Sequence, residues 1–247
     1  MNQSRKVALV TGAGTGIGRA VALRLAGQGI AVAVNYSRSE KEAQETMDEV
    51  QKLGVPAILC RCNVAEDTAV RRMVEACRHE LGGLDILVNN AATTRFIDHT
   101  DLEALTETIW DEILAVNLKG AFFCARAAIP VMKQRGGGAI VNVSSVAGIQ
   151  GIGSSIAYAA SKAALNAMTK SLARAFAPEI RVNAVAPGPV LTRWLAPHRD
   201  RIEQQVAQTP MRRAATPDDI ADVVVFLATG TTLMTGQVVI VDGGRTM

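Results

Sequence analysis

The chain has 247 residues, of which 49% are hydrophobic and 20% charged, and its formal net charge is +3. That length and apolar fraction exclude a disordered chain and leave one or two globular domains with room for a sizeable core. So small a charge, with aromatic residues at 4%, leaves no footprint for nucleic-acid binding.

The N-terminal MNQSRKVALVTG holds no apolar stretch of signal-peptide length, so a cytoplasmic protein is expected. A strand over 6–11 runs straight into Thr11-Gly12-Ala13-Gly14-Thr15-Gly16-Ile17-Gly18 and then a helix over 17–28. Glycines there let the backbone approach a pyrophosphate, and the helix N-terminus adds free N–H groups and a positive dipole end. Glycines also serve ordinary turns; it is the strand–loop–helix context that points to a dinucleotide. A second strand over 31–36 ends in Asn35-Tyr36-Ser37-Arg38-Ser39, with no acid before Glu40. An acid would bond a ribose 2′-hydroxyl, whereas Arg38 and Ser37 suit a 2′-phosphate, which favours NADP(H) over NAD(H). The plainer reading makes Arg38 the cap of an exposed loop.

Helices are expected over 39–53 and 67–81, on either side of a strand over 57–61. Cys60, Cys62, Cys77 and Cys124 lack CxxC spacing and the three histidines are scattered, so buried thiols are expected rather than a metal site or disulfides. A strand over 85–89, a long helix over 103–134 and a strand over 139–145 come next. The stretch 136–161 carries no charge, but its glycines, serines and asparagines are too polar a load for a bilayer span. A helix over 157–177 and a strand over 181–186 follow. Thr216-Pro217-Asp218-Asp219 opens a last helix over 217–228, before a strand over 237–241. The strands are nearly all apolar rather than alternating, which calls for helices on both faces. The expected fold is α/β: a Rossmann-type doubly wound parallel sheet of about seven strands, in one domain over 1–247.

Tyr158 and Lys162 lie one helical turn apart, on one face. A phenol of pKa ~10 is a poor proton-transfer group near neutrality, and an ammonium beside it favours the phenolate. Ser145 ends the fifth strand, where ligands of open α/β sheets bind, and its hydroxyl could hydrogen-bond a carbonyl gaining charge. Its bland alternative is a turn serine. Asn117 is a polar intruder in an apolar helix, either a structural hydrogen bond or part of a proton relay.

In the ordered combination of the 11–18 loop, Asn89-Asn90-Ala91, Asn117, Ser145, Tyr158-x-x-x-Lys162, Pro187-Gly188 and Val241-Asp242-Gly243-Gly244, the chain resembles the short-chain dehydrogenase/reductase superfamily. The 13-residue separation of Ser145 and Tyr158 makes it most similar to the bacterial 3-oxoacyl-acyl-carrier-protein reductases. The resemblance implies that Tyr158 exchanges a proton with the substrate oxygen and that Ser145 polarises it. Lys162 would bind the nicotinamide ribose and lower the Tyr158 pKa, and Asn117 would hold a water linking Lys162 to solvent. Gly12, Thr15, Gly16, Ile17 and Gly18 would hold the pyrophosphate, Asn63 and Val64 the adenine, and Asn90 and Ala91 the adenosine ribose. Pro187, Val190 and Thr192 would hold the nicotinamide end. Three positions depart from the family pattern: Ala92 replaces a glycine, Asn63 an aspartate, and Thr15 a residue often basic in NADP-using members.

The substrate lid is expected near 189–213, with arginines at 193, 199, 201, 212 and 213. A solvated helix face explains them; so would attraction of an anionic substrate. Arg135 matches one position that docks acyl carrier protein in the resembled reductases, whereas Glu179 stands where a second base is expected, which puts that partner in doubt. Ala160, Ala164, Ala167 and Ser171 form a small-residue face on the 157–177 helix. With the family resemblance, this face implies a homotetramer. The expected function is an NADP(H)-dependent carbonyl reductase, reversible as an alcohol dehydrogenase. The alternatives are an NAD-dependent alcohol or sugar dehydrogenase and a non-catalytic dinucleotide-binding protein. A sugar-nucleotide epimerase would need an extra substrate domain after residue 247.

Overall fold

The computed structural model describes residues 5–194, 206 and 209–247. In β1 (Val7–Val10) successive side chains serve opposite faces of the sheet. Ala8 and Val10 pack into one core cluster, and Val7 and Leu9 into another. The same division runs through β2 (Ala31–Tyr36), where Val32 and Val34 face the first cluster and Ala31 and Ala33 the second. A strand covered on both sides must be apolar at every position, which is why these runs do not alternate.

The remaining strands are β3 (Ala57–Arg61), β4 (Ile86–Asn89), β5 (Gly138–Val143), β6 (Ile180–Pro187) and β7 (Val238–Val241). All pairings are parallel, in the order β3-β2-β1-β4-β5-β6-β7, so a doubly wound sheet of seven strands is present. One face carries α1 (Gly16–Gly27), α2 (Glu40–Lys52) and α8 (Pro217–Val225). The other carries α3 (Asp67–Glu80), α5 (Ala121–Gln134) and α7 (Ile156–Phe176). All four cysteines are buried free thiols.

Several boundaries differ from the sequence expectation for identifiable reasons. The edge strands are not fully covered: Ile240 of β7 is 44% exposed, because an edge strand lacks a neighbour to carry the helical layer past it. The expected helix over 103–134 starts as α4 (Glu107–Leu114), with Thr106 in extended conformation before it, and passes through a π-helical segment, Ala115–Gly120, before α5. A second π-helical segment, Phe226–Gly230, continues α8 beyond its expected end. A one-turn helix, α6 (Ala147–Gln150), was hidden by its Gly-rich surroundings. Thr216-Pro217-Asp218-Asp219 opens α8 as expected; Thr216 and Asp219 also form a capping box, and Arg213 pairs with Asp219 at 2.6 Å. The stretch Glu107–Gln134 has the length and apolarity of a membrane span. Its Cys124, Ala125, Ala128 and Met132 are packed into the core instead.

Candidate active site

The direction of winding reverses between β1 and β4, and a crevice opens beyond their carboxyl ends. Thr11 continues the ladder there: its N–H donates to the Val88 carbonyl at 3.0 Å, and its hydroxyl accepts from the N–H groups of Asn90 and Ala91. Gly12 and Gly16 then adopt left-handed backbone, at φ +62° and +54°, a region that side chains disfavour. A Cβ on Gly18 would lie 2.4 Å from the Gly12 carbonyl oxygen and 2.5 Å from Asn90 Nδ2, so only hydrogen fits. Asn90 Nδ2 donates to the carbonyls of Thr11 and Gly12 and ties the loop to β4.

The loop is also pinned from β2, through a residue that the motif reading passed over. Asn35 is buried; it accepts the Gly12 N–H at 3.1 Å and donates to the carbonyls of Cys60 and Cys62. Its signal in the sequence was a lone amide in the apolar run Ala-Val-Ala-Val-Asn-Tyr. Thr15 precedes α1 in extended conformation and makes no side-chain cap, so the first-turn N–H groups of α1 face the cleft. Rigid glycine backbone, open N–H groups and a helix N-terminus together fit the pyrophosphate of a dinucleotide.

One cleft of about 1030 Å³ gathers most of the expected residues. Gly12, Thr15, Gly16, Ile17, Ser37, Arg38, Asn63, Val64, Asn90 and Ala91 line it, as do Ser145, Tyr158, Lys162, Pro187, Val190 and Thr192. Gly18 packs behind the loop. Asn63 Oδ1 accepts the Ala65 N–H at 3.2 Å and keeps a second lone pair for another donor.

Ser145 leaves the end of β5 and its Oγ accepts the Ala147 N–H at 3.1 Å, which fixes the hydroxyl. Ser155 caps α7 by accepting the Tyr158 N–H, so Tyr158 stands in the first turn with Lys162 one turn later. Lys162 is 3% exposed, and its ammonium donates to the Val143 carbonyl at 2.7 Å and lies 5.7 Å from the Tyr158 ring centre. Burial lowers the Lys162 pKa to about 8. Burial likewise pushes Tyr158 up to about 12, opposed by a side-chain hydrogen bond with Ser145. With burial holding its pKa up, Tyr158 is a neutral phenol near pH 7.

The depressed Lys162 pKa has a consequence for stability. Below pH 8 the native state holds a desolvated ammonium; between pH 8 and its ordinary value of 10.5 it sheds that proton while the unfolded chain keeps it. The penalty is therefore full at low pH and relieved as pH rises. Relative to wild type, Lys162→Met should be favoured at pH 7 and lose roughly 2–3 kcal/mol of that advantage by pH 10. Urea unfolding of both proteins across this range measures it; a pH-independent difference would contradict the buried charge.

Asn117 sits in the π-helical segment, 1% exposed, behind the cleft wall. Its amide donates to the Thr93 carbonyl and Ser161 Oγ, and its oxygen accepts the Thr93 N–H at 2.8 Å. The side chain thus holds the loop after β4 to the π-helical segment and to α7. Thr94 and Ser154, in hydroxyl contact at 2.5 Å, and Trp194 also line the cleft. Ordinary loop composition disguised them.

The arginines divide. Arg193 bonds Ser39 and Glu42 across the cleft, Arg213 is taken by the α8 cap, and Arg212 is exposed. Arg199 and Arg201, with the rest of the expected lid over 195–205, lie outside the described residues. Arg135 lies at the amino ends of the strands, opposite the cleft; it pairs with Asp85 at 3.0 Å and donates to the carbonyls of Gly82 and Arg5.

The family model described as enoyl-(acyl carrier protein) reductase matches residues 12–246. The chain is 43% identical to a Streptomyces violaceoruber protein assigned as ketoacyl reductase 2 of the granaticin polyketide synthase, over 96% of this chain and 95% of that one. It is 42% identical to the 3-oxoacyl-[acyl-carrier-protein] reductase FabG of Staphylococcus aureus, over 98% of both. A solved structure from Burkholderia xenovorans, assigned as a short-chain dehydrogenase/reductase, superposes with a TM-score of 0.93 at 35% identity, covering 98% of each chain. With its doubly wound sheet, its glycine loop and its serine, tyrosine and lysine in one cleft, the chain belongs to the short-chain dehydrogenase/reductase family of oxidoreductases.

Proposed function

We propose that the protein is an NADP(H)-dependent carbonyl reductase, reversible as a secondary-alcohol dehydrogenase, with a 3-oxoacyl thioester as the favoured substrate class. One observation carries this reading: the hydroxyls of Ser145 and Tyr158 and the ammonium of Lys162 share a cleft whose far end holds Ser37 and Arg38. The bound nicotinamide supplies the hydride chemistry. The protein's residues do the rest. Gly12, Thr15, Gly16, Ile17 and Gly18 hold the pyrophosphate, Asn63, Val64, Asn90 and Ala91 the adenosine, and Pro187, Val190 and Thr192 the nicotinamide end.

A substrate carbonyl oxygen sits between the Ser145 and Tyr158 hydroxyls. Ser145 donates a hydrogen bond that strengthens as the oxygen gains charge. Tyr158, a neutral phenol at pH 7, donates its proton to that oxygen. Lys162 binds ribose hydroxyls and holds positive charge beside the phenolate left behind, and Asn117 positions the loop after β4. In oxidation the phenolate takes the proton back.

The thioester reading draws on relatives named as ketoacyl and 3-oxoacyl reductases. Arg135 is engaged by Asp85, which counts against acyl-carrier-protein docking through it, so free thioesters are the substrates to try first. Ala160, Ala167 and Ser171 are exposed on α7, and Phe122 is 40% exposed on α5, which supports a homotetramer built on these helices. The proposed organisation is one domain with a substrate-facing segment near 189–213, in a cytoplasmic enzyme.

A panel of 3-oxoacyl thioesters, ketones and sugars, followed by loss of NADPH absorbance, tests the reading. Turnover of a 3-oxoacyl thioester with NADPH above that with NADH is expected. NADPH left intact by every carbonyl would overturn it.

A further inference from the structure

We propose that Arg193, on the segment following β6, is a second ligand of the adenosine 2′-phosphate and so a determinant of cofactor choice. This inference rests on the NADP(H) reading above. Thr192 lies over the glycine loop, its Cγ2 3.3 Å from where a Cβ on Gly16 would sit. From the next residue, the Arg193 side chain reaches the opposite wall. Its Nη2 donates to Ser39 Oγ at 2.5 Å, and its Nη1 donates to Glu42 Oε1 at 2.9 Å. Ser39 is the neighbour of Arg38, and Ser37, Arg38, Ser39 and Arg193 all line the cleft. Although 154 residues separate Arg193 from Ser39, the fold brings its guanidinium to the residue next to the expected phosphate ligand.

Charge matching supports the assignment. A phosphate monoester carries about −1.5 to −2 near neutral pH. Arg38 neutralises only part of that, and Thr15, at the head of α1, brings no charge. Arg193 is the cation that the tertiary structure adds. Its five N–H donors exceed the two bonds it makes to Ser39 and Glu42, so an edge of the guanidinium remains for phosphate oxygens. The Arg193–Glu42 pair is also weak competition: its side chains are 53% and 40% exposed, and ion pairs so exposed contribute little. Glu42 therefore yields the guanidinium to a dianion.

The test is equilibrium titration of wild type, Arg38→Ala, Arg193→Ala and Glu42→Gln with NADP+ and with NAD+, read by binding and not by turnover. Arg193 is exposed, so its truncation should leave the fold intact, which circular dichroism checks. Wild type should prefer NADP+. Arg193→Ala and Arg38→Ala should each weaken NADP+ roughly tenfold and leave NAD+ unchanged, the loss of one charge-assisted contact. Glu42→Gln should tighten NADP+ severalfold, without effect on NAD+, by removing the competing carboxylate. If Arg38→Ala erases the preference and Arg193→Ala does not, the inference fails while the NADP(H) reading stands. Equal weakening of both cofactors by Arg193→Ala would assign the arginine to the pyrophosphate and overturn it. A wild type without preference would remove the NADP(H) reading itself.

Discussion

Tyr158→Phe is expected to lower carbonyl reduction by about 10²–10⁴-fold, the range that a positioned general acid contributes. The substitution deletes one oxygen and keeps the ring, so the wall of the cleft retains its shape. Ser155 still caps α7 through the residue 158 N–H, and Lys162 keeps its bond to the Val143 carbonyl. Cofactor binding should therefore be nearly unchanged, which separates lost chemistry from lost folding. Initial rates from nicotinamide absorbance, set beside a binding titration, give both quantities. A mutant turning over within a few-fold of wild type would remove Tyr158 from the proton transfer.

Gly18→Ala should be the most damaging single-methyl change in the cofactor half of the cleft. Its Cβ would stand 2.4 Å from the Gly12 carbonyl oxygen, 2.5 Å from Asn90 Nδ2 and 3.0 Å from the Ala13 Cα. Two of these neighbours are backbone and cannot rotate aside, and the third is the amide that ties the loop to β4. Forcing a methyl into packed surroundings costs about 1–3 kcal/mol, and here the displaced atoms are the phosphate loop itself. The urea midpoint should fall at constant m-value. Dinucleotide affinity should fall at least roughly tenfold, equivalent to about 1.4 kcal/mol. Gly27→Ala in the same helix is the control: nothing lies within 4 Å of its Cβ position, so stability and affinity should hold. Equal effects at both positions would refute the close approach at Gly18.

Most of the fold was legible because its signals are local. Continuous apolar runs such as Val7-Ala8-Leu9-Val10 mark strands covered twice, and Thr216-Pro217-Asp218-Asp219 marks a helix start whichever way the chain later packs. The boundaries that moved depend on neighbours. The covering of β7 depends on what stands beside it, and the π-helical turn at Ala115–Gly120 places Asn117 against Thr93 and Ser161. No local pattern announces either.

The site divides in the same way. The available chemistry is written along the chain: a glycine loop after a strand, a tyrosine and lysine one turn apart, a serine at a strand end, and an arginine after β2. Spacing along one element carries such information, because side chains on one helix or strand hold fixed relations. The tertiary structure alone decided the states of those groups. Burial raises the Tyr158 pKa against a hydrogen bond with Ser145, and desolvation brings Lys162 to about 8. It alone turned the side chain of Asn117 to a loop, Arg135 to Asp85 and Asn35 to the glycine backbone. Desolvation and long-range hydrogen bonding depend on atoms that only folding brings together. For the same reason +3 said nothing as a sum, while the placing of Arg193 beside Ser39 gives one of its charges a position in the cleft.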